Sequence, residues 1–187
     1  ILYHRDVLGD ASWRGAIAVV VGGEGSVATN GFWSALTMAT TLTLPLFFYI
    51  EDNGLGISVP GDMQTPGGNI AKNLASFGNL FVRDGDGCNP DESARLLSEC
   101  VDHVRSGRGP ALIHLTVPRL SSHSGPDNQK GYRTEQEIAA DIKRDPLPRL
   151  QEYCIASHLT AAEWREIATG VKGVVDRALA AARERPA

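Results

Sequence analysis

Two side chains with oxygen donors lie where two apolar runs of the sequence end. Glu24 stands among the glycines of 22–25, directly after the apolar run 16–21. Asn53 comes shortly after a second apolar run, 44–50. In open α/β sheets, ligands bind at the carboxyl ends of parallel strands. We therefore expect Glu24 and Asn53 to lie close together at one edge of a sheet.

Carboxylate and amide oxygens are hard donors. Together with a backbone carbonyl, they suit Mg²⁺, which keeps few protein ligands and completes its octahedron with phosphate and water. Gly23 and Gly25 leave the backbone open, and the helix that follows can direct its first N–H groups at a phosphate. The predicted ligand is a diphosphate with its magnesium ion.

Two other interpretations remain open at this point. Glycine-rich turns between a strand and a helix are common, and an acid in such a turn can simply cap the helix. Gly23-x-Gly25-x-x-Ala28 also fits a dinucleotide-binding fingerprint, with Glu51 at the end of the next strand. Asn30-Gly31 is turn chemistry where the dinucleotide helix should already be running. An acid in the fingerprint would also repel a pyrophosphate unless a cation lay between them.

Strands and helices alternate along the chain. Apolar runs predict strands at 16–21, 44–50, 80–82 and 110–117, and helical spacing of apolar residues predicts helices at 31–43, within 67–78 and at 90–106. The first strand lacks polar alternation and is expected to be buried on both faces, and residues 84–87 are expected to form a turn. This order predicts an α/β fold, a parallel sheet with flanking helices.

The last quarter of the chain is predicted to be helical. Thr134-x-x-Glu137 and Thr160-x-x-Glu163 both have the spacing of a capping box. We therefore divide the chain into a ligand-binding α/β domain, 1–133, and a helical C-terminal extension packed on it, 134–187.

Composition excludes several classes of function. A net charge of −4 without a basic patch argues against nucleic-acid binding. No run approaches the roughly 18 apolar residues of a membrane span. The three cysteines, Cys88, Cys100 and Cys154, are odd in number and lack a C-x-x-C spacing, which favours a reducing compartment and offers no zinc site. Because the chain begins at Ile1 without a leader pattern, we expect it to be a fragment.

Several segments resemble one known family. Gly23-Glu24-Gly25 followed by Asp52-Asn53 resembles the thiamine-diphosphate signature. The flanking segments 32–39, 44–45 and 51–58 are similar to the α subunit of the decarboxylating first component of 2-oxo acid dehydrogenase complexes, nearest to branched-chain (2-oxoisovalerate-type) members. His123-Ser124 within 123–133 resembles the active-site loop of that family, and 145–150 the segment after it. The likeness covers nearly all of the chain, but only the C-terminal part of a family α chain.

The resemblance assigns roles to particular residues. It implies thiamine diphosphate and Mg²⁺ as cofactors, with the ion held by the side chains of Glu24 and Asn53 and the carbonyl of Leu55. Gly23, Gly25 and Ser26 would approach the diphosphate.

The same resemblance places His123 near the thiazolium ring, with a part in the reductive acylation of a lipoyl group. Ser124 matches the loop serine that is phosphorylated in mitochondrial members. An imidazole suits proton donation near neutral pH. The other histidines, His4, His103, His114 and His158, are interpreted as structural because no partner for them can be named from the sequence.

Five residues depart from the family pattern. Glu24 replaces the commoner Asp, as in branched-chain members, and Asp52 replaces the first Asn of a pair, which adds a second negative charge near the site. Gly125-Pro126 alters a Ser/Thr-rich stretch of the loop. Leu55 replaces an aromatic residue, which should not matter for a ligand that acts through its backbone.

The resemblance implies oxidative decarboxylation of a 2-oxo acid with acyl transfer to lipoamide. The expected partners are a β subunit or β domain, which completes the site in a heterotetramer, and a lipoyl-bearing acyltransferase. The chain alone should hold half of the active site. The expected location is the bacterial cytoplasm, or the mitochondrial matrix in a eukaryote. A catalytically silent scaffold of the same fold is the alternative.

Overall fold

The computed structural model of the chain describes residues 1–185. Four parallel strands form its main sheet, in the order β1-β2-β6-β5. They span Ala18–Gly23 (β1), Leu46–Asp52 (β2), Phe81–Asp86 (β5) and Ala111–Thr116 (β6). A short antiparallel pair, Leu55–Gly56 (β3) and Val59–Pro60 (β4), follows β2. The predicted α/β class with a parallel sheet is confirmed.

Helices connect the strands and make up the end of the chain. They are α1 (Glu24–Val27), α2 (Asn30–Thr41), α3 (Ile70–Asn73), α4 (Pro90–Arg105), α5 (Glu135–Ile142), α6 (Pro146–Ser157) and α7 (Ala161–Arg183). Short 3₁₀ turns lie at Ala11–Trp13, Gly61–Met63, Pro66–Gly68 and Gln129–Gly131, and a π-helical turn at Tyr3–Val7. In the part of the chain that the structure describes, no helix combines the length and apolarity needed to cross a bilayer.

The sheet buries side chains on both faces. Successive residues of a strand point to opposite faces, so Phe48 of β2 joins Leu36 of α2 in one cluster. Phe47 joins Leu96 and Cys100 of α4 in the other. The continuous apolar run of β2 is the sequence signature of a strand that is buried on both sides.

The prediction that the first strand is buried on both faces is wrong. β1 lies at the edge of the sheet, where it pairs with β2, and Val19 and Val21 are 53% and 65% exposed. A continuous apolar run indicates that a strand has apolar surroundings. It does not show whether residues 1–185 supply a strand or helix to cover each side of that strand. The strand also begins two residues later than predicted and extends through Gly23.

Two predicted turns are regular structure instead. Residues 84–86 continue β5, because Asp84 and Asp86 pair with His114 and Thr116 of β6. Asn30-Gly31 opens α2, since the Thr29 hydroxyl caps this helix by accepting a hydrogen bond from the Phe32 N–H at 3.3 Å. In both places, pairing or capping overrides the local preference of glycine and asparagine.

The helix starts follow the sequence signals. The Thr134 and Thr160 hydroxyls accept hydrogen bonds from the N–H groups of Glu137 and Glu163, whose carboxylates accept in return, as predicted for two capping boxes. The chain divides into two compact units, the first spanning Ile1–Pro146 and the second beginning at Leu147. The first unit contains the sheet together with α5, and the second is helical. The proposed division at 133/134 stays a prediction.

Candidate active site

The glycine-rich turn positions Glu24 at the end of β1. The extended Gly23 is the N-cap of α1, and Glu24 is the first residue of that helix. The Gly23 N–H donates to the Ser26 hydroxyl at 3.3 Å, which closes the turn. The Glu24 side chain is directed inward and its residue is 5% exposed.

The turn after β2 positions Asn53. The carboxylate of Asp52 accepts a hydrogen bond from the Gly54 N–H at 2.7 Å, and the side-chain oxygen of Asn53 accepts one from the Leu55 N–H at 3.2 Å. Gly54 has a φ of +77°, which favours glycine there. Two successive Asx turns therefore hold the Asn53 amide and the Leu55 backbone in one orientation.

The structure brings these two turns together. Glu24 Oε2 lies 3.2 Å from the backbone nitrogen of Asn53 and accepts its hydrogen bond. Burial raises the pKa of Glu24 above its usual value, and the charge of Asp52 raises it further. A cation beside Glu24 would favour its ionised form and oppose both effects.

A cavity of about 530 Å³ opens beside this contact. Its lining includes every residue predicted to form the site: Gly23, Glu24, Gly25, Ser26, Asn53, Leu55 and His123. The histidine lies 70 residues from Asn53 in the sequence (123 − 53), so only the folded chain brings the two to one cavity.

Four further residues line the cavity and were not predicted from the sequence: Thr29, Gly56, Ile57 and Gln64. A side chain at Gly56 would bring its Cβ within 2.8 Å of the Gln64 side-chain carbon, so a glycine is needed there to leave room for Gln64. The turn-rich composition of 54–60 was the available signal, but it does not show that Gln64 packs back onto the same turn.

The loop that carries His123 is held by its own side chains. The Asp127 carboxylate accepts hydrogen bonds from the His123 N–H at 2.8 Å and from the Tyr132 hydroxyl at 2.7 Å. Arg119, which is buried, donates to both Asp127 and Tyr132, at 3.2 and 2.9 Å. Arg119 therefore forms an ion pair with Asp127 inside the loop.

Arg119 also joins this loop to the turn after β2. Its guanidinium donates to the carbonyl of Ile57, a cavity residue with a φ of +58°. Its backbone N–H donates to Asp141 at 3.0 Å, and Arg133 pairs with the same carboxylate. Both loops that line the cavity are therefore tied to a single buried cation.

The structure shows the partners of His114, which could not be named from the sequence. His114 is 2% exposed, and its Nε2 lies 2.8 Å from Asp52 Oδ2 while its Nδ1 lies 2.7 Å from Asp84 Oδ1. The three side chains come from β2, β6 and β5. No local pattern links them, because the strands are neighbours in the sheet and not in the sequence.

The donor set determines which cation fits the cavity. Within residues 1–185, no group of three or more His, Cys, Asp and Glu side chains could hold a metal by itself. Glu24, Asn53 and Leu55 instead offer one carboxylate, one amide oxygen and one carbonyl. This small set of oxygens suits Mg²⁺ bound together with a diphosphate, because magnesium binds through few protein ligands plus phosphate oxygens.

Comparisons with known proteins agree with this geometry. Residues 11–187 match the family described as "Dehydrogenase E1 component". The chain is 34% identical to the 2-oxoisovalerate dehydrogenase subunit alpha of Bacillus subtilis over 146 residues, which is 78% of this chain and 44% of that protein. It is 30% identical to the 3-methyl-2-oxobutanoate dehydrogenase subunit alpha of Mycobacterium tuberculosis over 138 residues, 74% of this chain and 37% of that protein.

A third relative is named for a different substrate. The chain is 28% identical to the pyruvate dehydrogenase E1 component subunit alpha of Staphylococcus epidermidis over 154 residues, 82% of this chain and 40% of that protein. The chain thus spans less than half the length of the curated relatives it matches.

Proposed function

The chain belongs to the family of dehydrogenase E1 components, and on this premise we propose that it is the cofactor-binding part of an α subunit that decarboxylates a 2-oxo acid with thiamine diphosphate. The acyl group would pass to lipoamide. The observation that carries the proposal is the contact between Glu24 and the turn at Asn53 beside one cavity. The likeness to 2-oxoisovalerate and 3-methyl-2-oxobutanoate dehydrogenases makes a branched-chain 2-oxo acid the first substrate to test.

In this proposal, Glu24, Asn53 and Leu55 hold Mg²⁺ through the carboxylate, the amide oxygen and the backbone carbonyl. The Asx turn at Asn53 supports the role of Leu55, because it fixes the backbone on either side of Gly54. When bound, thiamine diphosphate supplies the electron sink that decarboxylation requires.

Gly23, Gly25 and Ser26 would approach the diphosphate. The support is electrostatic, because a Cβ at Gly25 would make only ordinary van der Waals contacts, at 3.5 Å from the Gln64 side chain and from the Gly56 Cα. Backbone N–H groups presented by a glycine-rich turn favour an anionic group.

His123 would hold or donate a proton at the reacting end of the cofactor and take part in acyl transfer to the lipoyl group. It is exposed at the cavity, and its backbone is fixed through Asp127. An imidazole that is open to the cavity but anchored by its main chain can exchange protons and stay in position. Ser124, beside it on the exposed face of the loop, is the residue we propose for regulatory phosphorylation.

The complete enzyme would need partners. A β subunit would contribute the rest of the active site, and a lipoyl-bearing acyltransferase would accept the acyl group. We propose that residues 1–133 form the cofactor-binding domain and 134–187 a helical extension that completes the fold. The bacterial relatives support a cytoplasmic location.

Calorimetric titration tests this proposal. Thiamine diphosphate is added to the chain assembled with its β partner, with Mg²⁺ and again with EDTA. Saturable binding that requires Mg²⁺ is expected, and the loaded protein should reduce a dye acceptor when a branched-chain 2-oxo acid is supplied. NAD serves as the matched control ligand and should give no heat.

Each of the other outcomes would support a different function or contradict the proposal. Binding of NAD without binding of thiamine diphosphate would favour the dinucleotide alternative. Mg²⁺-dependent binding of the cofactor with no turnover of any 2-oxo acid would indicate the catalytically silent scaffold. Binding of neither ligand would remove the proposal.

A further inference from the structure

His114 connects the centre of the sheet to the candidate cation site. It lies between two carboxylates, and its two ring nitrogens are 2.8 Å from Asp52 and 2.7 Å from Asp84. With 2% of the residue exposed, water cannot replace either partner. An ionised carboxylate can only accept hydrogen bonds, so two such contacts require a proton on each ring nitrogen. The geometry is that of an imidazolium between two anions.

Asp52 passes this constraint on to the site. One of its oxygens is bonded to His114, and the other accepts the Gly54 N–H at 2.7 Å. The next residue, Asn53, donates its backbone N–H to Glu24 at 3.2 Å. The orientation of the turn therefore depends on where the Asp52 carboxylate is held.

The negative charges around the turn would repel one another without a positively charged group beside them. Glu24 and Asp52 are both buried and carry like charges when ionised. Asp52 stands where the family pattern has an uncharged asparagine. His114 faces Asp52 from β6 and Asp84 from β5, while Asn69 donates to the second oxygen of Asp84 at 3.0 Å. The only cationic side chain that contacts Asp52 among residues 1–185 is thus His114.

We propose that His114 is a positioning residue: its imidazolium balances Asp52 and Asp84, and it fixes the Asp52 carboxylate, so that the Asn53–Leu55 turn presents its amide and carbonyl oxygens. This inference rests on the proposed function for the identity of the ligand, but not for the order of the turn. Asp52 is compatible with the family site because His114 accompanies it.

Burial alone would lower the pKa of His114, but the hydrogen bonds and charges of Asp52 and Asp84 outweigh it and raise the pKa above its usual value. This direction agrees with the charged imidazolium that the two contacts at 2.8 and 2.7 Å indicate.

Hydrogen–deuterium exchange tests the effect on the turn without any ligand. In the chain assembled with its β partner, H114Q should raise exchange of the amides at 53–56 about tenfold, because the bonds from Gly54 and Leu55 open more often. The double variant H114Q/D52N replaces the ion pair by two amides, which can bond to each other and leave Gly54 an acceptor. Its exchange should return to within about threefold of the wild type. H103Q is the matched control, since His103 stacks on Phe81 and should leave 53–56 unchanged.

The return of slow exchange in the double variant distinguishes a charge-balancing role of His114 from a packing role. If exchange in H114Q equals that of the wild type, or if the double variant is as fast as H114Q, the inference is overturned. If H114Q does not fold, the double variant decides: a folded double variant supports charge balance, and one that also fails assigns His114 to core packing alone.

A ligand titration separates this inference from the proposed function. Binding of thiamine diphosphate with Mg²⁺ should weaken about tenfold in H114Q and recover in the double variant. If the wild type binds no cofactor while exchange follows the expected pattern, the proposed function fails and the positioning role stands. Cofactor binding that is unchanged in H114Q leaves the function intact and overturns the role of His114.

Discussion

The Glu24 carboxylate accepts a hydrogen bond from the backbone N–H of Asn53, at 3.2 Å, across 29 residues of sequence. This bond joins the turn after β1 to the turn after β2, and both turns line one cavity. It brings a buried carboxylate, an amide oxygen and the Leu55 backbone to the same edge of the sheet.

Replacing Glu24 should remove the magnesium dependence of cofactor binding. E24A deletes the carboxylate of the predicted cation site, and we expect thiamine diphosphate affinity in Mg²⁺ to fall by about 100-fold, to the level found in EDTA. The fold should persist, with a loss of about 1–3 kcal/mol from the unpaired Asn53 N–H. Titration calorimetry and urea unfolding measure the two effects. E51A, an exposed acid at the end of β2, is the control, and equal losses in both variants would argue against a cation at Glu24.

Gly56 should matter for the cavity more than for stability. In G56A the new Cβ displaces the Gln64 side chain, which now donates to the Val59 carbonyl at 2.8 Å. Because the displaced group is the flexible end of a side chain, we expect a cost in unfolding free energy of about 1 kcal/mol or less, with cofactor affinity lowered about tenfold. G56A/Q64A should restore affinity. G78A, at a glycine with open space around it, provides the baseline for the substitution itself.

Asp127 should control the order of the His123 loop. It accepts bonds from the His123 N–H, Tyr132 and Arg119, so D127A releases the loop from all three. We expect trypsin to cleave after Lys130 about ten times faster than in the wild type, since cleavage follows local opening. Y132F removes the bond to Asp127 and the bond from Arg119 but leaves Asp127 bonded to His123 and Arg119, so it should have a smaller effect. Cleavage at the wild-type rate in D127A would mean that the loop is ordered by other contacts.

The stabilising effect of the His114 network should have a defined pH window. A raised pKa for His114 means that its contribution is complete below its unfolded value of about 6.5 and is lost as the pH rises through the higher folded value. A lowered pKa for Asp52 means that its contribution is present above about 3.9 and is lost as the pH falls through the lower folded value.

The measurement is therefore the free energy of unfolding in urea for the wild type and for H114Q/D52N. The value for the wild type should exceed that of the double variant by more at pH 6 than at pH 9. The carboxylates that face the ring are those of Asp52 in β2 and Asp84 in β5. An equal difference at the two pH values would show that folding does not raise the pKa of His114.

The cysteines should differ in reactivity. Burial raises the pKa of the Cys100 thiol to about 12, so almost no thiolate is present at pH 8. Cys88 is buried as well, whereas Cys154 is partly exposed. Ellman's reagent should modify Cys154 first in the native protein, and all three cysteines only after unfolding. C154A should abolish the fast phase, and a fast phase that persists would place an accessible thiol in the α/β unit.

The sequence predicted the strand–helix alternation, the capped helix starts and the glycine-rich turn of the candidate site. These features depend on local physics: apolar periodicity, glycine in tight turns, and side chains that cap the helix a few residues ahead. It also placed Glu24 and Asn53 at strand ends, because each follows an apolar run. The resemblance of short segments added the role of His123, which no local rule could supply.

Features that depend on neighbours distant in the sequence could be found only in the folded chain. The apolar run of β1 is the same whether the strand is central or at an edge, so its exposure could not be derived. The glycines of 85–87 signal a turn, but pairing with β6 keeps Asp84 and Asp86 in a strand. His114 acquires its two carboxylate partners because β2, β6 and β5 lie side by side. Hydrogen bonds across the sheet depend on strand order, and strand order is a property of the whole fold.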